Sequence, residues 1–105
     1  MGERTQSVRR ARRQRSAAMR GFIVTWDVDS RDPRMCNRLK RFVFGQRLVQ
    51  GGKEYRYPGF VERDGVRYLG QSVLFVAPAR RAELEAFLFQ NGIPHHTTPA
   101  TLGGI

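Results

Sequence analysis

Acidic side chains are scarce in this chain: nine Asp and Glu stand against nineteen Lys and Arg in 105 residues, a formal net charge of +10. Lysine is nearly as scarce, since seventeen of the nineteen bases are arginine. The imbalance points to an anionic partner. The choice of Arg, whose planar fork meets phosphate bidentately, points to nucleic acid. A solvated halo of charge that serves solubility is the plainer alternative. Cysteine is represented once, by Cys36, which excludes an internal disulfide and a Cys-based zinc cluster. It falls on the apolar side of an expected helix, as a small hydrophobe would. No apolar run approaches the roughly 18 residues needed to span a bilayer, and the basic N-terminus lacks the apolar core of a secretory signal. These absences predict a cytoplasmic protein with no membrane partner.

What is present suffices for one domain with a modest core, since 40% of the residues are apolar. Residues 1–18 carry six Arg, one Glu and almost no large apolar side chain. The expectation is a disordered basic arm, or a helix formed only on a partner, with Arg9, Arg10, Arg12 and Arg13 on phosphate. Met19 is a second candidate start of translation. The domain proper is expected over residues 19–105, where thirteen bases still face eight acids.

The run Phe22–Val28 is β-branched and aromatic and reads as a central strand. By its two-residue period Phe22, Val24, Trp26 and Val28 share the face under the helices, and Ile23, Thr25 and Asp27 the other. Asp32 can cap a helix and Pro33 can open it. That helix runs to about Phe44 and is stopped by Gly45. Its inner face is Met35, Cys36, Leu39, Phe42 and Val43; its outer face is Arg34, Asn37, Arg38, Lys40 and Arg41. "QRLVQGGKE" reads as a loop or short extended piece with a Gly-Gly break. Asp64-Gly65, between "GFVER" and "VRYLG", predicts a β-hairpin, with Pro58 marking an edge strand and Gly70 a bulge. A second helix spans about Pro78 to Asn91, with Leu84, Phe87 and Leu88 inward, Ala82 and Ala86 as lesser contributors, and Gly92 as its stop. The tail "PHHTTPATLGGI" is expected to be partly extended, with a frayed end. The order βαββαβ predicts an α+β, ferredoxin-like fold: a four-stranded antiparallel sheet with two helices on one face.

Three aspartates gather where the first strand ends. Asp29 suits the turn and Asp32 the helix cap, which leaves Asp27 as the carboxylate placed for chemistry. With Mg²⁺ or Mn²⁺ it would serve phosphodiester hydrolysis. One Asp per chain is too few for a dedicated metal site, so the economical arrangement is a symmetric homodimer that pairs two Asp27 residues. Adjacent His95 and His96 point to opposite sides of an extended segment and do not suit joint metal ligation. "RYPGFVER" is weakly similar to an aromatic RNA-recognition strand, but Tyr55, Tyr57, Phe60 and Tyr68 are read as packing or dimer-contact residues. Arg34, Arg38 and Arg41 form a stripe at helical spacing, and Arg47, Lys53, Arg56, Arg63 and Arg67 add charge beyond it. Phosphate contact by such residues gives affinity and little sequence specificity.

Trp26-Asp27-Val28 at the end of the first strand, with "GQSVLFVAPARRAELEAFL" later, resembles the CRISPR-associated protein two (Cas-two) family. The resemblance covers about residues 19–91. Trp stands where the family usually has Tyr, and Gln71-Ser72-Val73-Leu74-Phe75 lacks the family's spacer after Gln. The resemblance implies a ferredoxin-like homodimer that binds duplex nucleic acid along a basic surface. For some members it implies a metal-dependent endonuclease, with Asp27 as ligand and Ser72 in support. A non-catalytic nucleic-acid binder and a protein-interaction module remain open beside it.

Overall fold

The computed structural model describes residues 18–103; the expected basic arm, with Arg9, Arg10, Arg12 and Arg13, lies outside them, apart from its last residue. Strand β1 (Met19–Trp26) starts three residues earlier than the apolar run suggests and stops before Asp27. Val28 reaches the core from the turn that follows. In that turn the Asp29 carbonyl accepts the Asp32 N–H at 3.0 Å. Helix α1 (Pro33–Phe44) then begins with Asp32 as its N-cap and Pro33 in its first turn, and ends at Gly45, whose φ is +87°.

Strands β2 (Gly45–Gln50) and β3 (Lys53–Pro58) form an antiparallel ribbon of their own. Gly51 and Gly52, with φ of +56° and +80°, make its turn; positive φ at both central residues is what a tight hairpin needs and what side chains resist. A single 3₁₀ turn (Phe60–Glu62) leads into β4 (Val66–Gly70), β5 (Val73–Val76), helix α2 (Pro78–Gln90) and β6 (His95–Leu102). The main sheet is antiparallel throughout, in the order β4-β5-β1-β6.

One core joins both helices to one face of this sheet. Val24 and Trp26 of β1, Leu74 and Val76 of β5, Leu39 and Val43 of α1, and Leu84 and Leu88 of α2 belong to a single buried cluster. Phe42 lies between two other rings, 5.2 Å from Phe60 and 3.9 Å from Phe87 between centroids, and so ties α1 to the 3₁₀ turn and to α2. On the far side of the sheet Phe75 is fully buried. A Cβ on Gly21 would come under 3.0 Å from the Phe75 ring and from the Val76 carbonyl, so only glycine fits beneath that ring.

Several expectations need correction. Asp64-Gly65 does not turn a hairpin: Gly59 and Phe60 are buried, Phe60 packs on Phe42, and "GFVER" becomes a 3₁₀ turn. The real hairpins turn at Gly51-Gly52 and at Gln71-Ser72, the latter with Ser72 at φ +63°. "QRLVQGGKE" is therefore ribbon, and the long arm expected after Gly65 is two strands, with its register shift between Tyr68 and Gly70. Ala82 and Ala86 are exposed rather than packed. The C-terminal segment pairs with β1 from His95 to Leu102 despite Pro99, because β6 is an edge strand and Pro costs no ladder bond on its open side.

Candidate nucleic-acid interface and the strand-end aspartates

The three aspartates have three different surroundings. Asp32 accepts the Met35 N–H at 3.1 Å and closes the first turn of α1. Asp29 accepts from the Arg31 backbone at 2.9 Å and from its guanidinium at 3.1 Å. The Arg31 side chain first, and its backbone N–H second, hold the Asp29 carboxyl below the ordinary range. Asp27 is exposed; its backbone N–H donates to the Pro94 carbonyl at 3.0 Å, and no ion pair or hydrogen bond among the described residues engages its carboxylate. An open pocket of about 560 Å³ lies between this turn and Gly92–Pro94, with all three aspartates on its wall.

That arrangement bears on a metal. Asp29 is held by Arg31 and Asp32 by the helix, so among the three strand-end aspartates Asp27 alone has a carboxylate without a partner among the described residues. Among the described residues no group of three His, Cys, Asp or Glu side chains could hold a metal ion. Mg²⁺ and Mn²⁺ take several oxygen ligands, of which this turn supplies one carboxylate per chain.

The cations divide by their partners. Arg47 pairs with Glu54 at 2.6 Å, Arg63 with Glu83 at 2.9 Å and Arg81 with Glu85 at 2.7 Å, while Arg56 pairs with Glu62. Helix α1 is different, because its sequence contains no acid at all. Arg34, Arg38, Lys40 and Arg41 are all exposed there, and none is in an ion pair among the described residues. Arg38 donates to the Asn91 side-chain oxygen at 2.7 Å; that neutral partner anchors the guanidinium against the end of α2 and leaves its charge intact. Arg67 lies on β4, with its nearest polar partner the Met19 sulfur at 3.9 Å.

On the ribbon, cross-strand partners share a face. Arg47 therefore stands opposite Arg56, and Leu48 opposite Tyr55. The like charges are offset by Glu54 and Glu62. Tyr55, Tyr57 and Tyr68 are exposed, with Tyr68 against the Phe44 ring, and of the four only Phe60 is buried. His96 is exposed, and His95 turns its Nδ1 to the Ile93 carbonyl at 2.9 Å.

Two features escape sequence reading. One is the Arg38–Asn91 contact, which joins residues 53 apart. The other is a second pocket of about 310 Å³ beside Trp26, between α1 and the β4–β5 turn; the Trp26 indole N–H is buried without a partner among the described residues. Both depend on how elements distant in sequence pack, and no local pattern announces them. The chain matches no family model, no curated protein and no solved structure at a significant level. No helix among the described residues is long and apolar enough to cross a membrane.

Proposed function

We propose that this chain is a nucleic-acid-binding protein that grips phosphate through the outer face of α1. One observation carries the reading: four exposed cations on a helix with no acid, in a chain whose ribbon pairs both its arginines with carboxylates and whose other helix pairs Arg81 with Glu85 and sets Arg80 on the Asp64 carbonyl. Surface cations already paired to carboxylates bring less to a phosphate than free ones, since the partner must first be displaced. Arg47, Arg56 and Arg67 would add to the basic surface, and the arm 1–18 to its affinity.

The four strands of the main sheet, taken without the ribbon, occur in the chain as first, second, third and fourth and lie in the order second-third-first-fourth. That order supports a ferredoxin-like reading, with β2–β3 as an insertion after the first helix. A homodimer is supported by the sheet face away from the helices, where Met19, Ile23, Val73 and Leu102 are half-buried and no helix among the described residues lies over them. A dimer is also what an endonuclease reading would require. Asp27 alone among the three strand-end aspartates keeps its carboxylate free, and two copies would have to bring their Asp27 residues together before Mg²⁺ or Mn²⁺ could be held. The binding reading does not depend on it.

The test is binding of labelled duplex DNA and single-stranded RNA across a salt series. Counterion release lowers log K by about 0.9 per phosphate neutralised on duplex DNA. A combined Arg34→Gln, Arg38→Gln, Arg41→Gln variant should flatten the slope by roughly two to three units, and Arg47→Gln with Arg56→Gln should flatten it less. A slope unchanged by the α1 variant would overturn the assignment to this helix. Cleavage in Mn²⁺ that vanishes in Asp27→Asn while binding persists would establish the endonuclease.

A further inference from the structure

The pocket beside Trp26 has the chemistry of a nucleobase site. Its floor is core: Trp26, Leu39 and Leu74 reach it from β1, α1 and β5. Its wall holds Phe44 and Tyr68, whose rings lie 5.5 Å apart at a tilt of 54° and which stay 54% and 51% exposed. Large aromatic side chains left half in water beside an apolar cavity offer faces on which a planar ring can stack. Polar groups are few and local. Asp27 and Ser30 contribute from the turn after β1, Gln71 and Ser72 from the β4–β5 turn, and exposed Lys40 from α1, where its charge offsets that of Asp27.

The independent observation is Trp26 itself. The residue is 9% exposed, and its Nε1 is buried without a hydrogen-bond partner among the described residues. An unpaired buried donor is costly and uncommon in folded proteins. An acceptor that reached it on entering the pocket would satisfy it. A pocket of about 310 Å³ lies at the small end of ligand sites. A flat ring with acceptor atoms on its edge and a phosphate at its margin suits this wall, this donor and this lysine together.

We infer that the pocket takes the base of an unpaired nucleotide, stacked on Tyr68 and Phe44, with an acceptor on the Trp26 N–H and the adjoining phosphate on Lys40. This rests on the nucleic-acid reading and deepens it: α1 holds the backbone, and the pocket takes one base that has left the stack. Such a site would favour duplex ends with an overhang over blunt ends.

The chain has one tryptophan, so its fluorescence reads this pocket directly. The experiment compares three labelled duplexes: blunt, with one unpaired 3′ nucleotide, and with an abasic 3′ residue that carries the extra phosphate and no base. Stacking of one base should tighten binding about ten-fold, for the base-bearing overhang only, together with a change in Trp26 emission. Tyr68→Ala, at an exposed position, should remove that advantage and leave blunt binding unchanged. Trp26→Phe, which keeps a ring and deletes the N–H, should weaken the overhang alone. Equal binding of blunt and overhang duplexes, or of abasic and base-bearing overhangs, would overturn the pocket while leaving the α1 reading intact. Loss of all three would overturn that reading. The pocket would then stand or fall on nucleoside monophosphates alone, whose failure to alter Trp26 emission would end it.

Discussion

Asp27, Asp29 and Asp32 are chemically alike and six residues span them, yet each is fixed by what surrounds it. The N-cap role of Asp32 makes Asp32→Ala cost about 1 kcal/mol. Asp27→Asn should leave stability within about 0.5 kcal/mol, as expected of an exposed side chain with no partner among the described residues. Urea unfolding of the two variants reads the contrast directly. Glu62 extends the same logic to pH. The Gly59 N–H, donating to it at 2.7 Å, and then Arg56 lower its carboxyl below the usual 4.5, and Asp29 is lowered likewise by Arg31. A carboxyl whose folded pKa is depressed binds protons less readily than in the unfolded chain. Its stabilisation is therefore complete above the unfolded value and is lost as pH falls from there through the folded value. Unfolding midpoints should drop below pH 4.5, and Glu62→Gln should make that drop shallower.

Helix α1 was legible in nearly every respect. "DP" gave its start, Gly45 its end, and Leu39 and Val43 its inner face, because cap chemistry and the 3.6-residue period are local properties. The outer cations were equally plain, but their lack of ion partners was not, since Arg47, Arg56, Arg63 and Arg81 look no different in sequence. Hairpin location was misread for a related reason. Asp-Gly and Gly-Gly both suit a tight turn, and what decides between them is whether the flanking residues can pair. Phe60 is drawn into the stack with Phe42, which removes "GFVER" from any ladder and leaves Gly51-Gly52 to turn. Gly51→Val with Gly52→Val should therefore disorder the ribbon while α1 and the main sheet persist. Hydrogen exchange would show protection lost over residues 45–58 alone.

At the scale of the molecule, stability resides in the cluster between helices and sheet. Leu84 and Leu88 have no exposure, and Leu88→Ala should cost about 2–5 kcal/mol by the transfer and cavity terms together. Gly21→Ala tests the other face, where a methyl would press on the Phe75 ring and the Val76 carbonyl. A loss of about 1–3 kcal/mol is expected from such overpacking, with Val24 and the helix-side core undisturbed. By itself the sequence determined the charge excess, both helices, the central strand with its two faces, and the α+β class. Each follows from composition or from a period of two or 3.6 residues. Only the tertiary structure decided which strand-end aspartate stays without a partner and which cations lack acids among the described residues, where the hairpins turn, and that a pocket opens beside Trp26. Those outcomes depend on contacts between residues far apart in the chain, and a local pattern carries no information about the partner that will arrive.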